Sequence, residues 1–146
     1  MNDIPRPALF LGLVGLIPFL YGALTHLAPA AAVTPLHGAA LLTLYGVIIL
    51  CFMGGVLWGF AAKAGLGLLH YAASTAPALI ALVPALFWPD IYEGPGGLLV
   101  LFNGFVVLIL LDNWFATAGW ATGWWMRLRV LLTAVVWLCL AIGGLA

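Results

Sequence analysis

Charge is what this sequence has least of. Four Lys or Arg and four Asp or Glu make up 5% of its 146 residues, and the formal net charge is zero. Ordinary soluble domains carry roughly 25% charged residues. Eight charges cannot cover the surface of a water-soluble body of this size. A nucleic-acid binder needs a basic patch and a disordered segment needs low hydrophobicity, so both classes are excluded. Cysteine is scarce too: two residues cannot build a disulfide scaffold. Familiar catalytic patterns are also missing. There is no HExxH, no G-x-S-x-G, no CxxC and no Gly-rich phosphate loop followed by Lys. The reading is therefore no enzyme and no catalytic residue. What is abundant is apolar residues, at 66%. The chain reads as an integral membrane protein with the lipid bilayer as its first partner.

The few charges punctuate the chain. Arg6 and Lys63 bracket 56 residues without a formal charge, Lys63 and Asp90 bracket 26, and Glu93 and Asp112 bracket 18. Seventeen more follow Arg129. A spanning helix needs about 20 mostly apolar residues. The longest run divides at Ala28–His37 (APAAAVTPLH), where Pro29 and Pro35 oppose helix continuation. Five spans result, at about Ala8–His26, Gly38–Ala62, Leu66–Phe87, Gly96–Phe115 and Met126–Leu145. Segments such as LLVLFNGFVVLILL are apolar on every side, which favours helices over the alternating strands of a barrel. The fold class is an all-α membrane protein, a single domain and a compact bundle of five transmembrane helices. The segment Ala28–Ala32 has the small residues of a signal-peptidase site. The apolar stretch before it is longer than a signal core, so the first span is expected to be retained. With the N-terminus inside, Arg6, Lys63, Arg127 and Arg129 all fall on the inner side, while Asp90 and Glu93 fall outside. The positive-inside rule then predicts N-in, C-out.

Polar residues at depth are costly and so are candidate sites. Asp112 is the one acidic residue inside a span, and Arg129 lies at comparable depth in the next. Arg127 points to another face, so the expected pair is Asp112 with Arg129. That pair either fixes the docking of two spans or, less in keeping with the sequence, serves as a proton relay. Asn103 and Trp137 lie about 10 and 13 Å from the outer ends of their spans at ~1.5 Å per residue. Either the indole donates to the amide, or Asn103 faces a cavity and meets a ligand carbonyl.

Cys51, Gly55 and Gly59 make a small-residue face on the second span. It is read first as packing within the bundle, with a homodimer or a larger complex as alternatives. Pro18, Pro77 and Pro84 should bend their helices, and Ser74 and Thr75 have hydroxyls to serve the backbone freed at Pro77. Trp114, Trp120, Trp124 and Trp125 crowd the fourth connection. They read as an interfacial belt, with a lid over a ligand as the sharper alternative, and Trp88 and Tyr92 form a thinner outer belt. His70, beside Tyr71, is read as interfacial. His26 and His37 flank the first connection and are the only candidates for metal or haem ligation. With no Cys, Asp or Glu beside them, the expectation is no metal. Cys139, like Cys51, reads as a packed thiol.

Three segments carry a family resemblance: LFLGLVGLIPFL, LYGVIILCFMGGVLWG and LLDNWFA…WWMRLRVLLTAVV. Together they resemble a family of small five-helix membrane proteins that occurs in proteobacteria and includes the eukaryotic transmembrane protein 69. The most specific parts are Gly54, Gly55, Trp58 and Gly59, and the pattern Asp112…Arg127-Leu128-Arg129…Leu132-Thr133. The resemblance implies a multi-pass protein of the bacterial inner membrane, or of the mitochondrial inner membrane in a eukaryote. It adds weight to Trp58, Asp112 and Arg129 without implying a reaction. Two functions stay open, and the reading favours the first. One is a non-enzymatic accessory or assembly component of a larger membrane complex. The other is a binding or transport protein for an apolar ligand such as a quinone, lipid or tetrapyrrole. The second would use Trp58, Asn103, Trp137 or Trp124 as contacts, and haem or a quinone would be its cofactor-like occupant.

Overall fold

In the computed structural model, which describes residues 3–145, every regular element among the described residues is helical. The long helices are α1 (Arg6–Val14), α2 (Ile17–Leu27), α3 (Gly38–Lys63), α4 (Leu68–Phe87), α5 (Pro95–Thr117) and α6 (Trp125–Gly143). Two short 3-10 turns, Pro29–Ala31 and Pro89–Glu93, fill connections. Five helical stretches are long and apolar enough to cross a membrane, the first being Arg6–Leu27, made of α1 and α2 together. The expected first span is present, with its helix interrupted at the bend expected near Pro18. Pro18 has no N–H to donate and its ring crowds the preceding turn, so the ladder is interrupted at Gly15 and Leu16.

Helices α2, α3, α4, α5 and α6 form a ring in that order, and α3 and α5 also touch across it. The core runs between these two. Leu42, Leu50, Leu57 and Ala61 of α3 and Leu101, Phe105, Leu108 and Phe115 of α5 are buried in one cluster. Leucines seat reciprocally in glycine gaps: a Cβ on Gly46 would lie 2.8 Å from Leu101, and one on Gly104 2.6 Å from Leu50. Such gaps let the two backbones approach closely, which is how helices associate where lipid removes the hydrophobic incentive. Helix α1 packs chiefly on α6, whereas α2 packs on both α3 and α6. The break at Gly15 therefore lets the first half-span part from α3.

Each proline bend is tied to a neighbouring element. The Tyr45 hydroxyl of α3 donates to the Gly15 carbonyl, three residues before Pro18, at 3.0 Å. The Tyr92 hydroxyl donates to the Ala81 carbonyl, three residues before Pro84. Helix α4 runs on through Pro77 and Pro84. Its Ser74 carbonyl, three residues before Pro77, lies against the bare Gly54 of α3. The Ser74 and Thr75 hydroxyls do not serve Pro77 as expected. They donate to the His70 and Ala72 carbonyls of their own helix, because those carbonyls are already within reach of short side chains.

Candidate functional site

Asp112 lies five residues before the end of α5, and Arg129 four residues after the start of α6. At ~1.5 Å per residue both sit roughly 6–8 Å inside the same end of the bundle. The connection between the two helices is short, so they meet side by side. Arg129 Nε donates to Asp112 Oδ2 at 2.7 Å, and Trp125 Nε1 donates to Asp112 Oδ1 at 2.8 Å. Both carboxylate oxygens are thereby engaged, and Asp112 is fully buried. The Arg129 guanidinium also lies 5.9 Å from the centre of the Trp125 ring, within cation–π range. Trp125 and Arg129 reach one carboxylate because residues four apart share a helix face. Arg127 takes no part: its Nη2 lies 3.9 Å from Asp3 on the exposed side.

Thr133 continues the same stripe, four residues beyond Arg129. It is 2% exposed and its hydroxyl has no partner. Thr25, Ser74, Thr75 and Thr117 each donate to a carbonyl three or four residues back in their own helix, which Thr133 does not. Arg129 is 4% exposed, and its Nη2 is likewise buried without a partner. Buried donors left unmade carry their full desolvation cost.

Both residues line a cavity of about 430 Å3 between α1, α2, α3, α5 and α6. Its walls are otherwise almost wholly apolar, with Phe19, Met53, Phe105 and Leu132 prominent. It runs along α6 from Trp124 to Val136, roughly 18 Å at the helical rise. Leu11 of α1 and Phe52 of α3 line it and are both exposed, so it opens sideways between those helices. The opening is where α1 has parted from α3. An apolar cleft with a few convergent polar groups is the usual form of a small-molecule site.

Other expected site residues fall elsewhere. Asn103 and Trp137 do not pair. Asn103 Nδ2 donates to the Leu99 carbonyl one turn back, and the residue borders a groove between α4 and α5. Trp137 stacks on Phe102 at 5.7 Å, and its N–H has no partner. Depth along the chain matched these two residues, but azimuth around the helices separated them. Cys51, Gly55 and Gly59 do not pack in the bundle. Cys51 is exposed, and a Cβ on either glycine would meet nothing within 4 Å. Gly54, one residue away and so about 100° round the helix, is the glycine that packs: its Cβ would stand 2.7 Å from the Ser74 carbonyl.

Trp58 is half exposed and meets Tyr71 edge-on at 4.8 Å. Trp124 alone of the proposed ligand contacts lines the cavity. Trp125 is no belt residue, being buried on Asp112. Its role was missed because a Trp beside a loop reads as interfacial. The four-residue spacing Trp125–Arg129–Thr133 was the available signal. His70 stacks on Trp114 at 5.2 Å and meets Trp120 edge-on at 4.7 Å, so those indoles pack within the protein as well as at an interface. His26 Nε2 bonds the Leu145 carbonyl at 2.8 Å, and His37 directly precedes α3. Among the described residues no group of three or more His, Cys, Asp or Glu is placed to hold a metal.

Comparison with known proteins gives a concordant result. A family model described as a protein of unknown function (DUF3429) matches residues 4–145. Transmembrane protein 69 of Xenopus tropicalis is 35% identical over 139 residues, covering 92% of this chain and 52% of that protein. Transmembrane protein 69 of Mus musculus is 30% identical over 122 residues, covering 77% and 49%. The chain thus spans about half the length of these relatives. No solved structure matches it.

Proposed function

The chain belongs to the DUF3429 family and is a multi-pass membrane protein, and from that premise we propose that it binds an apolar ligand in the cleft beside Arg129. One observation carries this reading: Arg129 and Thr133, whose buried Nη2 and hydroxyl have no partner, line an otherwise apolar cavity that opens between α1 and α3. Asp112 and Trp125 hold the guanidinium in place from the other side. The length of the cleft along α6 suits a chain-bearing molecule such as a quinone or a lipid. None of His26, His37 and His70 lines it, so it offers haem no histidine ligand. The test is native mass spectrometry of the protein released from mild detergent. A small molecule retained at one per chain, and lost on narrowing the cleft with Val56→Phe, is the expected result. A chain that emerges bare and takes up no added amphiphile would refute the reading.

A second reading, an accessory component of a larger complex or a homodimer, is favoured by one observation. The face of α3 bearing Cys51, Gly55 and Gly59 points outward and is unfilled. Cys51 is exposed and Cys139 buried, so a thiol crosslinker reports on that face alone. A crosslinked pair formed in membranes supports it, and monomer throughout counts against it.

For placement, we assign the end carrying Arg6, Lys63, Arg127 and Arg129 to the cytoplasmic side of a bacterial inner membrane, or its mitochondrial equivalent. A C-terminal fluorescent fusion should then be dark and a periplasmic phosphatase fusion active.

A further inference from the structure

Granting the binding reading above, on which this inference rests, we infer that the ligand's head is a neutral carbonyl oxygen and not an anion. The charges already present decide this. Among the described residues Arg129 is the one cation lining the cleft, and the Asp112 carboxylate already neutralises it through a 2.7 Å contact. A carboxylate or phosphate docked on Arg129 Nη2 would place two anions on one buried guanidinium. The cluster would then carry net negative charge in apolar surroundings, where each ion is costly to desolvate and like charges repel strongly. A carbonyl adds no charge. It has two lone pairs, and two residues that line the cleft carry donors without partners, Arg129 Nη2 and the Thr133 hydroxyl. The two residues sit four apart on one face of α6.

Along α6, Arg129 lies five residues from Trp124 and Thr133 three residues from Val136, so a head shared by the two sits near the middle of the cleft. An alkyl quinone and the ester of an acylglycerol both present this chemistry, and the test separates them.

The probes are decyl-benzoquinone, monoolein, palmitate at pH 8 and hexadecane. Each is titrated into the full-length protein in lipid nanodiscs, with Trp124 and Trp125 fluorescence as the signal and displacement of the quinone for probes that do not quench. The expected result is binding of a carbonyl probe at least about tenfold tighter than palmitate. Whichever of quinone and monoolein binds tighter identifies the source. Thr133→Val, which removes only the hydroxyl, should weaken that probe by about three- to tenfold, the worth of one ordinary hydrogen bond. It should leave hexadecane binding and the melting temperature unchanged, which shows that the variant is folded. Palmitate binding tighter than both carbonyl probes would overturn the inference while leaving the binding reading standing. So would hexadecane matching the carbonyl probes with no effect of Thr133→Val. No binding of any probe, hexadecane included, would overturn the binding reading itself.

Discussion

Replacing Asp112 with Asn changes almost no volume and removes one charge. In the native protein both oxygens accept a donor, Arg129 Nε at 2.7 Å and Trp125 Nε1 at 2.8 Å. An amide has one oxygen, so its NH2 must face one of those donors. The Arg129 guanidinium, 4% exposed, is left without a counter-charge. Breaking a buried ion pair by removing one partner costs about 3–5 kcal/mol. The lower end applies here because one hydrogen bond survives. At about 3 °C per kcal/mol for a chain of this length, the apparent melting temperature should fall by roughly 10 °C. The assay is tryptophan-fluorescence melting in a mild maltoside detergent. Replacing both partners with apolar residues, Asp112→Leu with Arg129→Met, should regain much of the loss, since a well-packed apolar pair often equals a buried ion pair. A melting curve for Asp112→Asn that superimposes on the unaltered protein would refute the structural role assigned to the pair.

Adjacent glycines should behave oppositely. Gly54→Ala drives a Cβ to 2.7 Å from the Ser74 carbonyl and should destabilise by about 1–3 kcal/mol, whereas Gly55→Ala meets nothing within 4 Å and should melt at or above the native temperature. Tyr45→Phe and Tyr92→Phe each remove a hydroxyl that serves a carbonyl beside a proline bend. Each should cost about 1 kcal/mol in the same melting assay. Trp125→Phe loses a hydrogen bond to a carboxylate and should cost about 1.5–3 kcal/mol, while Trp137→Phe has no hydrogen bond to lose and should be nearly silent.

Spans were readable because lipid enforces one rule everywhere: charges stay near the ends. The gaps between Arg6, Lys63, Asp90, Asp112 and Arg129 locate five helices to within a few residues. Pairing of Asp112 with Arg129 was legible for a related reason, since few groups at that depth can satisfy each other. Azimuth was not legible. Helices α3 and α5 are apolar on every face, so hydropathy has no phase from which to read a buried side. That is why Gly55 and Gly59 were expected to pack and Gly54 does, and why Asn103 and Trp137 were matched in depth yet face apart. The cleft escaped for another reason. Its existence depends on how far α1 swings at Gly15, which Pro18 permits but does not specify.

On the binding reading proposed above, the mouth between Leu11 and Phe52 lies within two membrane-spanning helices, so the quantity that would govern filling is the mole fraction of a guest among its neighbouring lipids. Aqueous solubility drops out of the equilibrium. Adding host phospholipid at fixed guest should empty the protein, whereas diluting the whole suspension with buffer should leave its occupancy untouched.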